Sequence, residues 1–333
     1  MQTKSRKFLS VLLTLLMMAG VIAVAPITAS AADPIEVSTS TELGEAIDSA
    51  VDGDIIKLTS DITCSANLSF GFVSITIDLN GKTLTCADGL EIEDGELLLA
   101  DPNNGALNVR MGDVDSTALY VVNGKAEVTS VSVTGDLMAA IGAGDGGEIT
   151  VYGNVTCTGT TSGIGAYAAL NSKITINGTL TVDSGFTYIR VEDTLKTQAQ
   201  YEATSTYPYL TYKGTHGSDT SYVYVKDASA FKAVTVTGGT GSGNYLPSAA
   251  VAIVATVPAG KLFDKWTATG VTLTEAQKGS ASTSFTMPAG AVTVTASFKD
   301  AKGIFGTKAR WTGEWWHYLL FFACFGFIWM WFI

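Results

Sequence analysis

The chain has 333 residues, enough for two or three domains, and 15% of them are charged, against about a quarter in an ordinary soluble protein. Gly is abundant (35) and Pro scarce (7), a turn-rich composition that fits an all-β fold. The formal net charge of −11 argues against nucleic acid as a partner, since an acidic surface repels phosphate.

Residues 1–32 have the layout of a secretory signal. Lys4, Arg6 and Lys7 form the positive start, Phe8 to Ala25 is mostly apolar, and Ala29-Ser30-Ala31 is a small-x-small cleavage site. The expected mature chain therefore begins at Ala32 or Asp33 and is exported. A short helix follows. Thr39 and Glu42 fit a capping box, and Leu43, Ala46, Ile47 and Ala50 share one face at helical spacing. Asp52-Gly53-Asp54 ends the helix, and Ile55-Ile56-Lys57-Leu58 starts a strand. A solenoid needs a cover on its open apolar end, and this amphipathic helix is placed to be one.

The body of the chain repeats a phrase. Residues 149–159 read Ile-Thr-Val-Tyr-Gly-Asn-Val-Thr-Cys-Thr-Gly, and 174–185 read Ile-Thr-Ile-Asn-Gly-Thr-Leu-Thr-Val-Asp-Ser-Gly. Gly153 and Gly178 lie 25 residues apart, and Val155 and Cys157 map onto Leu180 and Val182. Each phrase alternates apolar and polar, breaks at a Gly, then alternates again. That pattern predicts two strands joined by a bend where a Cβ would clash, stacked coil on coil. Further strand centres fall at Ile55–Leu58, Ile75–Leu79, Leu97–Leu99, Leu107–Val109, Val128–Val133, Ile149–Val151 and Ile174–Ile176, with their apolar residues pointing inward. Turn pairs recur at Asn80-Gly81, Asp94-Gly95, Asn123-Gly124, Gly146-Gly147 and Asn177-Gly178, giving six or seven coils.

The run Leu43-x-x-Ala46-Ile47…Asp52-Gly53-Asp54-x-Ile56-x-Leu58, with Ile75-x-Ile77-x-Leu79-Asn80-Gly81-Lys82-x-Leu84, resembles the opening of right-handed parallel β-helix proteins of the pectate-lyase-like superfamily. The resemblance covers roughly 35–193. It implies three short strands per coil and a helical N-terminal cap, and it says little about activity, since many members have no known reaction. Residues 33–193 are thus read as the solenoid. They hold 24 Asp and Glu against 6 Lys and Arg, a net of −18, while 194–333 hold 7 against 11, a net of +4.

Residues 194–232 break the repeat. Tyr201, Tyr207, Tyr209 and Tyr212 replace the alternation, as expected of a cap or linker closing the solenoid. Residues 233–299 are read as a second domain. Gly243-Asn-Tyr245, Gly260-Lys-x-Phe263-x-x-Trp266, Phe285-Thr-Met-Pro288 and Val292-x-Val294-x-Ala296-x-Phe298 resemble the divergent internalin-type B repeat. That family implies a small β-grasp-like module of bacterial surface proteins, used as a spacer or adhesion unit. Gly238 to Gly243 is not a phosphate loop, because no Lys-Ser/Thr and no helix follow it.

After a linker at 300–314, residues 315–333 carry no Asp, Glu, Lys or Arg. As a helix they would reach about 28 Å, close to the bilayer's hydrocarbon thickness. Trp315 and Trp316 at one end and Trp329 and Trp331 at the other fit interfacial belts, so this segment is read as a transmembrane anchor. No sortase-type motif precedes it.

Chemistry is thinly supported. A lyase needs acids for Ca²⁺ and a basic group to take a proton; Arg110 beside Asp113 and Asp115 is the one such cluster. A hydrolase needs two facing carboxylates, but Glu91 and Glu93 alternate with Leu90 and Ile92 as on a solvated strand face. His216 and His317 have no Ser or Cys motif beside them. The four cysteines lack zinc spacing. Cys64 and Cys86, about one coil apart, read as two buried thiols or a disulfide. The sequence therefore predicts an exported, membrane-anchored surface protein without a reaction, either a stalk or an adhesin for glycan or protein. A carbohydrate-active enzyme is the alternative. No cofactor is expected beyond weak Ca²⁺ binding at Asp113, Asp115, Glu91 and Glu93.

Overall fold

The computed structural model describes residues 33–112, 116–135, 138–159 and 162–301. The expected signal (1–32), the expected anchor (315–333) with its four tryptophans, and Asp113 and Asp115 lie outside the described residues. Among the described residues no helix is long and apolar enough to cross a membrane.

The alternating segments form strands, and the strands stack into a parallel β-solenoid. Six complete coils contribute three short strands each. In the first they are Ile55–Leu58, Ile62–Cys64 and Leu68–Gly71; in the sixth they are Lys173–Ile176, Leu180–Val182 and Phe186–Val191. Equivalent strands pair side by side and in parallel, so three sheets run along the solenoid; they are called faces 1, 2 and 3 in that order. Ile35–Val37 extends face 1 before the first coil. Face 1 holds nine strands in all. At roughly 4.8 Å per strand it is about 38 Å long.

The predicted offset of 25 residues is the actual register: Ile149 pairs Ile174, Val151 pairs Ile176, Val155 pairs Leu180 and Cys157 pairs Val182. Inward residues therefore form columns. One runs Ile75, Leu97, Ala126, Ile149, Ile174, Val223, all buried. Each fully buried Leu or Ile contributes about 1.5–3 kcal/mol, and none can be buried without its neighbouring coil. Ile55 departs from the expectation. It is half-buried because the pleat turns Ile56 and Leu58 inward and leaves Ile55 opposite Thr76 on the outer row.

The corners explain the glycines. Asn80, Asp94 and Asn123 adopt φ of +49°, +54° and +45°, the left-handed region that Asn and Asp tolerate. Gly178 is different, since close approach dictates it: a Cβ there would lie 2.3 Å from the Gly153 carbonyl oxygen and 2.4 Å from Asn154 Oδ1.

Both ends are covered. Helix α1, Ser40–Asp48, starts at Thr39 with a complete capping box and buries Leu43, Ala46 and Ile47 over the first coil. At the other end the hairpin Tyr209–His216 and Asp219–Lys226 pairs onto Lys173–Ile176. Tyr212 is fully buried, packs edge-on against Tyr188 at 5.8 Å, and donates to the Gln198 carbonyl at 2.7 Å. Glu192, 4% exposed, accepts from Leu170 N–H at 3.0 Å and from the Ser221 hydroxyl at 2.5 Å, which ties the hairpin to the last coils.

Beyond the cap, a mixed four-stranded sheet and a three-stranded sheet enclose a separate core around fully buried Trp266, with Val251, Ile253, Phe285 and Val294. Strands Lys232–Thr237 and Val292–Asp300 pair in parallel at its centre. Trp266 Nε1 donates to the Ser280 carbonyl at 2.9 Å, so the indole is a satisfied core residue. The Gly-rich segment is packed too: a Cβ on Gly239 would lie 2.4 Å from the Val254 carbonyl oxygen and 2.8 Å from the Trp266 ring.

Candidate functional site

Alternation leaves every second side chain of each strand outside, and the parallel register lines these up into rows. Face 1 carries a row of alternating charge, Glu96, Lys125, Glu148 and Lys173. Lys173 Nζ lies 2.8 Å from Glu148 Oε1. Half-exposed pairs like this contribute at most about 1 kcal/mol, and they leave the row neutral.

Face 2 carries hydroxyls. Thr85, Asn108 and Ser130 form one row, and Arg110, Ser132, Thr156 and Thr181 form the next. Between them lies a groove of about 480 Å³, lined by Asn108, Arg110, Gly112, Ser130, Ser132 and Thr134 together with Ala87 and Met111. Asn108 Oδ1 accepts from Ser130 Oγ at 2.6 Å and Thr129 Oγ1 at 3.2 Å, so it is fixed. Arg110, the predicted basic group, does face this groove. The described lining offers one guanidinium, an amide and hydroxyls. These are groups that hold a polar ligand.

Face 3 is aromatic. Its outer row runs Ser69, Glu91, Tyr120, Gly142, Tyr167 and Arg190. Gly142 makes room for its neighbour: a Cβ there would lie 3.1 Å from Tyr120 Cδ2, and one at Gly144 would lie 3.5 Å from the Tyr120 hydroxyl. The ring of Tyr120 thus packs over the outer side of the next coil. Burial, then Tyr167, Glu91 and Glu93 nearby, push its phenol above the usual range. Arg190 lies 4.9 Å from the centre of the Tyr167 ring and 3.4 Å from Asp193 Oδ1. Asp193 Oδ2 in turn lies 2.5 Å from His216 Nδ1. This pair ties the end of the hairpin to the last coil.

Glu91 and Glu93 both point outward from one strand, Leu90–Glu93. Among the described residues no group of three or more His, Cys, Asp or Glu is arranged to hold a metal ion. Cys64 and Cys86 stack as direct partners and are free, buried thiols, which resolves the alternative the spacing left open. Burial, with the neighbouring Cys64 as a smaller cause, pushes the Cys86 thiol up to about 12.

The sequence reading passed over Tyr120, Gly142, Tyr167 and Arg190. A signal was there: Tyr120 and Tyr167 are large aromatics in otherwise small, apolar strands, and both face outward.

Residues 230–302 match the family model for the divergent InlB B-repeat domain. No curated protein and no solved structure matches the chain. A repeat domain of the bacterial surface type therefore follows the β-solenoid, in keeping with a surface protein.

Proposed function

We propose that this chain is an exported, membrane-anchored bacterial surface protein whose solenoid is a non-catalytic stalk binding an extended glycan or protein along its side. The observation that carries the proposal is the outer rows: coils in register line up polar side chains, mostly hydroxyls with Asn108 and Arg110, on face 2, and place Glu91, Tyr120, Tyr167 and Arg190 in one row on face 3. Such rows suit a ligand that is itself extended and repetitive. The InlB-type repeat then serves as the spacer between solenoid and membrane, with 1–32 as the export signal and 315–333 as the anchor. The helix-capped parallel coil also supports kinship with the pectate-lyase-like superfamily, without its chemistry. Ca²⁺ at Glu91, Glu93, Asp113 and Asp115 would be an accessory to binding.

Protease treatment of intact cells tests the placement. Release of the solenoid from intact cells before lysis, with 315–333 retained in the membrane fraction, is the expected result. Protection of the whole chain until lysis would overturn it.

A further inference from the structure

Face 3 has a specific chemistry. The ring of Tyr120 packs over Gly142 and Gly144, so a half-exposed aromatic side chain covers the outer side of the next coil. Glu91 stands beside it in the same row, and Glu93 is two residues further along that strand. Among the described residues neither carboxylate has a cation within ion-pair distance, although other acids of the solenoid do. Arg190, the cation of this row, is engaged by the Tyr167 ring and Asp193 at the opposite end. The Glu91 end of the strip is therefore an uncompensated negative site next to an aromatic platform, on a segment of net charge −18. Charge complementarity calls for a cationic ligand, and a half-exposed aromatic ring beside the carboxylates calls for one that also has an apolar face. A lysine side chain would satisfy the carboxylates and leave the ring uncovered.

We infer that face 3 binds a glycan chain bearing free amino groups, with a sugar ring laid on Tyr120 and its ammonium groups facing Glu91 and Glu93. This deepens the binding role proposed above and rests on it. The sugar's C–H face meets the negative face of the aromatic ring, and a nearby ammonium adds a cation–π and an ionic attraction. The strand spacing makes the strip a straight track, so chain length adds contacts beyond the first ring.

The test titrates the full-length chain in detergent with a glucosamine hexasaccharide, its fully N-acetylated form, and hexalysine. The glucosamine oligomer is expected to bind at least tenfold more tightly than either of the others, and its affinity should fall with salt. Tyr120→Ala and the isosteric double variant Glu91→Gln/Glu93→Gln should each lose about tenfold, while Tyr120→Phe keeps the platform and the affinity. Circular dichroism confirms that each variant is folded. Glucosamine binding unchanged in both variants, or hexalysine binding equally well with the same residue dependence, would overturn the inference. A chain that ignores glucosamine but binds another glycan or a protein overturns this inference and leaves the binding role standing. Cleavage of the oligosaccharide overturns the binding role itself.

Discussion

Replacing Gly178 by Ala tests the stacking of the coils at its tightest point. The new methyl would sit 2.3 Å from the Gly153 carbonyl oxygen and 2.4 Å from Asn154 Oδ1. Gly153 is backbone of the coil beneath, so it cannot swing away. Asn154 cannot retreat freely either, because its Oδ1 accepts from Thr179 N–H at 2.9 Å and from the Thr179 hydroxyl at 3.1 Å. Overpacking of this kind costs about 1–3 kcal/mol, and each hydrogen bond surrendered adds about 1 kcal/mol. The expected destabilisation is about 3–5 kcal/mol, centred on the last two coils. Native-state hydrogen exchange reads it locally: amides of Val155–Thr158 and Leu180–Val182 should lose protection together, while those of the first coils keep theirs. Gly44→Ala is the opposite case. Gly44 sits inside α1 with nothing within 4 Å of an added Cβ, so the change should raise stability by about 0.5–1 kcal/mol. Unaltered protection in Gly178→Ala would refute the close stacking of coils five and six.

Three further outcomes are expected. Burial raises Cys86 and Cys157 to about 12, and Tyr188 also to about 12. Deprotonating a group whose folded pKa is raised favours the unfolded chain, so this stability is full below about pH 9 and falls as pH rises toward 12. Denaturant unfolding at pH 8 and pH 10.5 should show the lower midpoint at 10.5; equal midpoints would contradict the burial. Alkylation at pH 8 should spare Cys64, Cys86 and Cys157 in the native chain and label all three in denaturant, with peptide mass spectrometry as the readout. Trp266→Ala should cost about 3–5 kcal/mol and open the InlB-type module to limited proteolysis while the solenoid resists, since the two have separate cores.

Repeat spacing carried most of the fold. The 25-residue offset of Gly153 and Gly178 is the register of the last two coils, while the others run from 21 to 29 residues, and the capping box at Thr39 and Glu42 marks the helix that covers the first coil. Face 3 was nearly invisible because its strands break the rule that makes strands legible. Ala139–Gly144 is buried at every position, since Tyr120 lies over its outer side, so no alternation survives in Ala-Ala-Ile-Gly-Ala-Gly. The cap was expected at 194–232, but how it pairs was not legible. Asp219–Lys226 joins face 1 after a 49-residue excursion from Lys173, and no period predicts such a return. Arg110 was legible as a rare cation in an acidic segment, but its setting among the hydroxyls of the adjacent coil required the register of face 2.

Binding without catalysis is tested most directly by incubating the full-length chain with a panel of end-labelled polysaccharides and following retention and chain length in the same samples. Retention of at least one glycan at constant chain length is the predicted result, reduced in Tyr120→Ala. Shortening of any retained glycan, lost when Arg110 is replaced, would contradict it and make the face 2 groove a catalytic site.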